Sequence, residues 1–320
     1  MASQLSDKKI ALVVNDYDPR SVDAQHRLRI WCEQNGVTIV PETARYTGSD
    51  QAMVDTAPST ASGATAHVMS VANSAEDSAT IDLVVALGGD GTIIRAVHEY
   101  ASNETPILGI KFGRLGFLSG APAEELLEAV EAALHGQAQV ERRALLEVNA
   151  YSDDTFLNTH YALNEAVIGR HSNSEIVSTQ LMVNGQVVYQ LRGNGLIVST
   201  ATGSTAYALS AGGPILSPES RAMVLVPLAS HTLINRSIVT APKDLVRIDI
   251  AQSDVGGVIL SIDGTVVIDN VHMERSEPAT YAPLTHIEAR ICSKRWVSLV
   301  KTSSRLFFDT LSTEFYRHEA

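Results

Sequence analysis

The segment that most constrains the fold is VVALGGDGTIIRA, residues 84–96. An apolar run typical of a buried strand ends in a glycine turn, and an apolar run typical of a helix follows it. Glycines at such a junction let a phosphate approach backbone N–H groups at the positive end of the helix dipole. A carboxylate there repels that phosphate, so we expect Asp90 to act on a hydroxyl group or on a magnesium ion beside the phosphates. The alternative is a tight turn without a chemical role, as in many α/β folds.

Composition narrows the functional classes. The 320 residues suggest two domains, and no apolar run approaches the roughly 20 residues of a membrane span. A net charge of −12 argues against a general electrostatic attraction to nucleic acid or to an anionic membrane. The N-terminus has no signal-peptide pattern, so we expect a cytoplasmic protein. Cys32 and Cys292 are far apart in sequence, and we expect buried thiols rather than a disulfide or metal ligands.

The first 137 residues alternate between strand-like and helix-like patterns, which predicts a doubly wound α/β domain. In its first helix, residues 21–34, we expect Val22, Leu28 and Trp31 to face the core. The segment 46–80 is rich in Ala, Ser, Thr and Gly, and we expect it to be a mobile surface segment.

The remainder of the chain has a different pattern. Residues 138–303 contain short runs rich in β-branched residues, separated by turns such as VNGQ and IDGT, which predicts a mostly β domain with hairpins. Residues 304–320 predict an amphipathic helix that repeats at four-residue spacing through Phe307, Leu311 and Phe315. This helix either packs back on the first domain or caps its own β domain.

Common nucleotide-binding motifs do not explain the glycine turn. The chain has no Gly-Lys pair for a P-loop and no HExxH, GxSxG or HRD motif, and the turn does not fit GxGxxG. The next strand is followed by GIKFGRLGFLSG, whose glycines keep side chains out of the crevice at strand ends where open α/β sheets bind ligands. The glycines concerned are Gly88, Gly89 and Gly91 in the first turn, and Gly109, Gly113 and Gly116 in the second segment.

Two further segments carry polar groups suited to a nucleotide. Asn164 and Glu165 are adjacent after an apolar run, and this pair can bond a sugar diol and an adenine edge; a solvated strand end is the alternative. Residues 191–215, LRGNGLIVSTATGSTAYALSAGGPI, pass from a strand into small hydroxyl residues around Tyr207. That composition leaves backbone exposed and suits a flat heteroaromatic ligand, although it is also found in ordinary loops.

In order and spacing, GGDGT, GRLGFL, the Asn-Glu pair, the TGSTAY run and HTLINRS resemble the NAD kinase family. The resemblance runs from about residue 81 to the C-terminal FFDTLSTEF. Diacylglycerol and sphingosine kinases and 6-phosphofructokinases share the GGDGT turn but lack the Asn-Glu pair and TGSTAY. The resemblance implies transfer of the γ-phosphate of ATP, in some members of polyphosphate, to the adenosine ribose 2′-hydroxyl of NAD, giving NADP. It also implies a divalent metal, Mg or Mn, and a homo-oligomer, a dimer or tetramer.

The resemblance implies a role for each motif residue. Asp90 accepts the proton of the hydroxyl and helps to place the metal, while Asn164 and Glu165 hold the sugar hydroxyls and the adenine. The other residues that the resemblance places around NAD are Gly91, Arg95, Arg192, Asn194, Thr205, Ala206, Tyr207, Ala208, Leu209 and Ser210. Those that it places near the phosphates of ATP are Gly88, Gly89 and His231. Arg192 and His231 correspond to family positions near a phosphate or near the subunit boundary.

The chain departs from the family where the family reads GDGLI and STPTG, because it has Asn194 and Ala201. An aspartate facing the nicotinamide accepts from the carboxamide and attracts the positive ring, and Asn194 can do only the first. A hydrogen bond to a charged group contributes ~1.5 to 3 kcal/mol against ~0.5 to 1.5 for a neutral one. We therefore expect a roughly tenfold loss of affinity and a weaker preference for NAD over NADH.

Two other functions fit part of the pattern. A non-catalytic NAD or NADP sensor of the same fold is suggested by Asn194, but a protein that only binds has no need of Asp90. A lipid or sugar kinase of the GGDGT group is the other alternative, and an acidic chain without a basic amphipathic helix argues against a lipid substrate.

Overall fold

The computed structural model describes residues 5–40, 81–100, 105–113, 116–171, 176–230, 236–251, 257–270, 282–302 and 307–316. The segment 46–80, expected to be mobile, lies outside these residues. The α-helices are α1 Pro19–Asn35, α2 Asp90–Tyr100, α3 Leu126–Leu134, α4 Tyr207–Ser210 and α5 Phe307–Leu311. The strands are β1 Lys9–Val14, β2 Thr38–Ile39, β3 Leu83–Leu87, β4 Ile107–Lys111, β5 Ala121–Pro122, β6 Gln139–Ser152, β7 Thr155–Ala162, β8 Glu165–Arg170, β9 Val177–Val183, β10 Gln186–Gly193, β11 Gly195–Ser199, β12 Val224–Leu228, β13 Ile238–Val239, β14 Val246–Ile250, β15 Val258–Ile262, β16 Thr265–Asp269 and β17 His286–Lys301.

The first part of the chain forms a doubly wound α/β layer, as predicted. Strands β2, β1, β3 and β4 are parallel and lie in that order. Alternate residues of each buried strand cover opposite faces. Leu83, Val85 and Leu87 pack with α1 and α3, while Val84 and Ala86 pack with α2.

The buried face of α1 differs in part from the prediction. Leu28 is buried as expected, but Val22 is 44% exposed. The residues that face the sheet are Ser21, Ala24, Leu28 and Cys32. Four-residue spacing from Ala24 keeps these side chains on one side of the helix, whereas Val22 lies two residues away and points to the other side. Both cysteines are buried free thiols, as predicted.

The second part of the chain is built from sheets packed face to face, which confirms the mostly β prediction. Strands β13, β12, β11, β8, β15 and β16 form one sheet in that order. It shares an apolar core with the antiparallel strands β6, β9, β14 and β17. Both predicted hairpins form, and their turn residues have the positive φ angles of tight hairpin turns: 51° and 79° at Asn184 and Gly185, and 47° and 83° at Asp263 and Gly264.

The last strand connects the two parts. The first residues of β17 pair with β14 and β6, and Leu299 near its end pairs in parallel with Ile107 of β4, so a single 11-stranded sheet passes through both parts. Of the two alternatives left open for the last helix, the ring contacts match packing on the first part: the Phe307 and Phe315 rings lie 5.5 and 6.2 Å from the Phe117 ring. The boundaries at residues 137 and 303 remain predictions. In the described parts of the chain, no helix has the length and apolar character needed to cross a bilayer.

Candidate active site

The glycine turn places Asp90 at the first residue of α2, whereas the sequence pattern predicts a helix that begins at Thr92. A Cβ on Gly88 would overlap the hydroxyl of Thr92, so this position requires glycine for the tight entry into the helix. Among the described residues, no atom lies within 4 Å of a Cβ built on Gly89 or Gly91. At these two positions the absent side chains leave the backbone open to a ligand, as expected for a phosphate turn.

A lysine that sequence reasoning missed lies beside this aspartate. Lys111 is the last residue of β4, and its Nζ is 3.4 Å from Asp90 Oδ1, with the two side chains 26% and 38% exposed. A Cβ on Gly116 would lie 2.5 Å from Lys111 Nζ and 2.7 Å from Asp90 Oδ1. The glycine in GRLGF therefore makes room for an ion pair. The signal in the sequence was a lysine at the end of the strand that follows the glycine turn, where parallel strands present their ends at one edge.

A second missed lysine anchors the loop that contains Gly116. Lys301, at the end of β17, is buried, and its ammonium donates to the carbonyls of Phe117 at 3.2 Å and Ser119 at 2.6 Å. Burial lowers the pKa of Lys301 to about 8, although the negative charges of Glu141 and Asp90 act in the opposite direction. The last strand thus fixes a loop of the first part of the chain.

Arg95 is held at the same edge of the sheet. Its Nη2 donates to the carbonyl of Val14, the last residue of β1, at 2.6 Å. Its Nε lies 3.9 Å from Glu99, one turn along α2. The structure therefore places this guanidinium at the carboxyl ends of the strands rather than on a free helix surface.

The Asn-Glu pair lies inside the protein, not at a solvated strand end. Asn164 and Glu165 are 8% and 6% exposed. The carboxylate of Asp263, in the turn between β15 and β16, accepts from the backbone N–H groups of Leu163, Asn164 and Glu165 at 2.8, 2.8 and 3.0 Å. The sequence identified Asp263 only as a hairpin residue, because its partners are about a hundred positions away.

The Glu165 carboxyl group is poised for a ligand. Its Oε2 is buried and has no hydrogen-bond partner among the described residues. Burial, together with the negative charge of Asp263, raises the pKa of Glu165 to about 8, and a hydrogen bond from the backbone N–H of Tyr207 acts in the opposite direction. The carboxyl group is therefore largely protonated at neutral pH, and in that form it can both donate and accept a hydrogen bond.

The TGSTAY segment folds into a turn that packs on Asn164. The hydroxyl of Thr200 donates to the carbonyl of Leu163 at 2.6 Å, and that of Ser204 donates to the carbonyl of Ala201 at 2.6 Å. A Cβ on Gly203 would overlap the carbonyl oxygen of Asn164. Both hydroxyl groups thus bond carbonyls of the protein, that of Leu163 beside the turn and that of Ala201 at its start, because carbonyls around a sharp buried turn need donors.

The outer side of this turn carries the accessible groups. Thr205 is half-buried, and its hydroxyl donates to the carbonyl of Thr202 at 3.2 Å. Tyr207 begins α4 and is 45% exposed. Ser210 is also exposed, while the other predicted residues of the segment, Ala206, Ala208 and Leu209, are half-buried or buried.

Helix α2 connects the two clusters. Its N-terminus carries Asp90, and His98 in its last turn places Nε2 2.9 Å from Asp263 Oδ2. Ile93 of α2 also shares an apolar cluster with Leu163. Eight residues of helix rise about 12 Å, so the phosphate turn and the Asn-Glu pair flank one short helix.

The structure does not bring every predicted residue to this place. Ser199 pairs with Glu165, whereas Gly195 pairs with Gly169, so Asn194 lies beyond the opposite end of β11, about five residues or 17 Å along the strand. Arg192 is exposed on β10, near Asn194. His231 lies outside the described residues. The backbone N–H of Asn194 donates to the carbonyl of Leu228 at 2.9 Å, and its carbonyl accepts from Arg170 at 3.0 Å.

The residues present fit a magnesium site in which the substrate phosphates supply part of the metal ligands. Within the described residues there is no cluster of three His, Cys, Asp or Glu side chains suited to hold a metal. Mg²⁺ commonly binds one or two carboxylates together with substrate phosphates and water. Asp90 is a partly exposed carboxylate beside open backbone, so it can serve as such a ligand.

Comparisons with known proteins agree with this arrangement. The model of the ATP-NAD kinase N-terminal domain matches residues 10–138, and that of the ATP-NAD kinase C-terminal domain matches residues 163–277. The crystal structure of yeast NADH kinase complexed with NADH has the same fold, with a TM-score of 0.74 and 19% sequence identity, covering 98% of this chain and 89% of that chain.

Two relatives extend the likeness to sequence. An NAD kinase of Cupriavidus pinatubonensis is 37% identical over 238 residues, which cover 74% of this chain and 73% of the relative. An NAD kinase of Geobacter metallireducens is 34% identical over 280 residues, covering 85% of this chain and 92% of the relative. Because both domain models match and the relatives align over most of their length, the chain belongs to the ATP-NAD kinase family.

Proposed function

We propose that this protein is an NAD kinase, a phosphotransferase that moves the γ-phosphate of ATP to the 2′-hydroxyl of the adenosine ribose of NAD, giving NADP. The observation that carries the proposal is a partly exposed carboxylate, Asp90, at the first residue of α2, in a turn whose glycines leave the backbone open. A phosphate can bind to these N–H groups, and the carboxylate then faces the group that accepts it.

Asp90 accepts the proton of the 2′-hydroxyl as the phosphoryl group leaves ATP. Phosphoryl transfer passes through a loose transition state, so positioning and charge neutralisation matter more than a strong base. A divalent metal, Mg or Mn, would neutralise charge on the ATP phosphates, and Asp90 would be its protein ligand. Arg95, at the carboxyl end of β1, contributes positive charge to the same edge of the sheet.

The acceptor nucleotide binds at the Asn-Glu pair and the TGSTAY turn. The largely protonated carboxyl of Glu165, whose Oε2 has no hydrogen-bond partner among the described residues, bonds the ribose hydroxyls or the adenine edge. The exposed ring of Tyr207 packs against a ring of the nucleotide, and the backbone of residues 205–210 wraps around it. Asp263 supports this site by fixing the backbone of Asn164 and Glu165.

Asn194 sets the choice between NAD and NADH in this proposal. It lies about 17 Å along β11 from Glu165, so it contacts the nicotinamide end of the dinucleotide, together with Arg192. Without a carboxylate at this position, the positive nicotinamide ring of NAD loses an attraction that the uncharged dihydronicotinamide ring of NADH never had. We expect Asn194→Asp to raise the ratio of kcat/KM for NAD over NADH roughly tenfold. A ratio equal to that of the unchanged protein would contradict this role.

The test of the activity is NADP formation from NAD with ATP and Mg²⁺. We expect Asp90→Asn to lower the rate by orders of magnitude, whereas Asp23→Asn, an exposed aspartate of α1, leaves it unchanged. If the protein binds NAD but makes no NADP with ATP or polyphosphate, it is a sensor, and the kinase proposal is wrong. Full activity of the Asp90→Asn protein would instead refute the role of Asp90 alone.

A homo-oligomer in the cytoplasm completes the proposal. The resemblance to the NAD kinase family supports the assembly. Sedimentation equilibrium is the test of the assembly: a mass of one chain, 34.3 kDa, at micromolar concentration would contradict it.

A further inference from the structure

Lys111 is a cation at the phosphate turn, and the mechanism proposed for Asp90 and Arg95 gives it no role. It ends β4, the parallel neighbour of β3, and the pairing of Leu87 with Ile110 sets its side chain beside the turn that follows β3. Among the described residues, Asp90 is the hydrogen-bond partner of its ammonium, at 3.4 Å. An ammonium has three donors, so two N–H groups remain for another acceptor.

We propose that Lys111 binds the phosphoryl group in transit from ATP to the acceptor hydroxyl. The inference rests on the proposed role of Asp90 as the proton acceptor. In the free enzyme the carboxylate holds the ammonium in place. When ATP binds, the flexible lysine keeps its position between the carboxylate and the phosphoryl oxygens and donates to both.

Charge balance supports this role. Asp90 repels the phosphoryl group that must approach it, and a cation 3.4 Å away offsets that repulsion. Hydrogen bonds from an ammonium to phosphate oxygens are among the strong ones in proteins. The positive end of α2 acts in the same direction, because Asp90 is its first residue.

The backbone around Lys111 packs closely on the ion pair that it forms with Asp90. The backbone of Gly116 covers the two side chains so closely that a Cβ would lie 2.5 Å from Nζ. Lys301 in turn fixes the loop that follows Gly116, through the carbonyls of Phe117 and Ser119. A partly exposed ion pair contributes little to stability, so folding alone gives no reason to enclose it in this way.

The competing explanation is that Lys111 only positions Asp90, and a double-mutant cycle separates the two. The variants are Lys111→Met, Asp90→Asn and the double variant, with Lys111→Arg as the conservative replacement and Lys243→Met, an exposed loop lysine, as the control. For each, we would measure kcat, KM for ATP, the dissociation constant of ATP by calorimetry, and the dissociation constant of NAD.

We expect Lys111→Met to lower kcat/KM for ATP roughly 10- to 100-fold, with unchanged affinity for NAD, and Lys111→Arg to recover part of the loss. In the Asp90→Asn background, Lys111→Met should again lower the residual rate and weaken ATP binding. If Lys111→Met changes neither the residual rate nor the affinity for ATP of the Asp90→Asn protein, the lysine acts only through Asp90 and the proposal is wrong. Full activity of Asp90→Asn would refute the role of the aspartate, and the ATP affinities of the lysine variants would still report on Lys111.

Discussion

Replacing Glu165 by glutamine should change the pH dependence of stability of the free protein. Burial and the charge of Asp263 raise the pKa of the folded Glu165 carboxyl from 4.5 to about 8. Between these values the folded protein holds a proton that the unfolded chain has released. The free energy of unfolding therefore falls as pH rises through this window, by at most about 1.4 kcal/mol per pH unit.

The magnitude follows from these two pKa values. At pH 5 this carboxyl is ionised in most unfolded chains, and Glu165 changes the free energy of unfolding by about −1 kcal/mol relative to low pH, where both states are protonated. At pH 8 half of the folded molecules bury an ionised carboxylate, and the contribution is about −4 kcal/mol. Between pH 5 and 8 this one group therefore lowers the free energy of unfolding by about 3 to 4 kcal/mol.

The assay is urea unfolding of the ligand-free protein at pH 5, 6, 7 and 8, followed by circular dichroism. Glu165→Gln removes this titration. The variant should therefore gain in free energy of unfolding over the unchanged protein as pH rises, and this gain should be about 3 to 4 kcal/mol between pH 5 and pH 8. Glu124→Gln, at an exposed position before α3, is the matched control and should leave the pH dependence unchanged. Parallel stability curves for Glu165→Gln and the unchanged protein would refute the argument from burial.

Two further predictions concern the supports of the site. Gly116→Ala places a methyl group 2.5 to 2.8 Å from Lys111 Nζ and the carboxylate oxygens of Asp90. We expect kcat to fall at least tenfold with little change in melting temperature. A fully active variant would show that the Lys111–Asp90 pair can move aside. Asp263→Asn removes a carboxylate that accepts from three backbone N–H groups, so we expect a loss of about 2 to 4 kcal/mol in unfolding free energy and a higher KM for NAD. Unchanged stability and KM would contradict the supporting role of Asp263.

Features of the fold that depend on neighbouring residues were predictable. The parallel layer follows from alternating apolar runs, because strands buried on both faces need helices on each side. The hairpins at Asn184 and Asp263 follow from turn chemistry, since few residues tolerate positive φ. The turn around Asp90 was likewise identified from its glycines, and only the helix start was displaced by two residues.

The composition of the candidate site was predictable only in part. Asp90, Asn164, Glu165 and the TGSTAY segment were identified from their residue types and from the resemblance to a family. The bonding of the Thr200 and Ser204 hydroxyl groups to protein carbonyls was not, because a residue type does not say whether its donor meets a ligand or a nearby carbonyl.

By itself the sequence determined the local conformations and the residues able to carry chemistry, because sterics and hydrophobic periodicity act over a few positions. Only the tertiary structure decided which distant residues meet them. Lys111 meets Asp90 because two parallel strands pair in a given register, and Asp263 reaches Glu165 across 98 positions. Strand order and register are set by the packing of the whole core, so no local pattern encodes them.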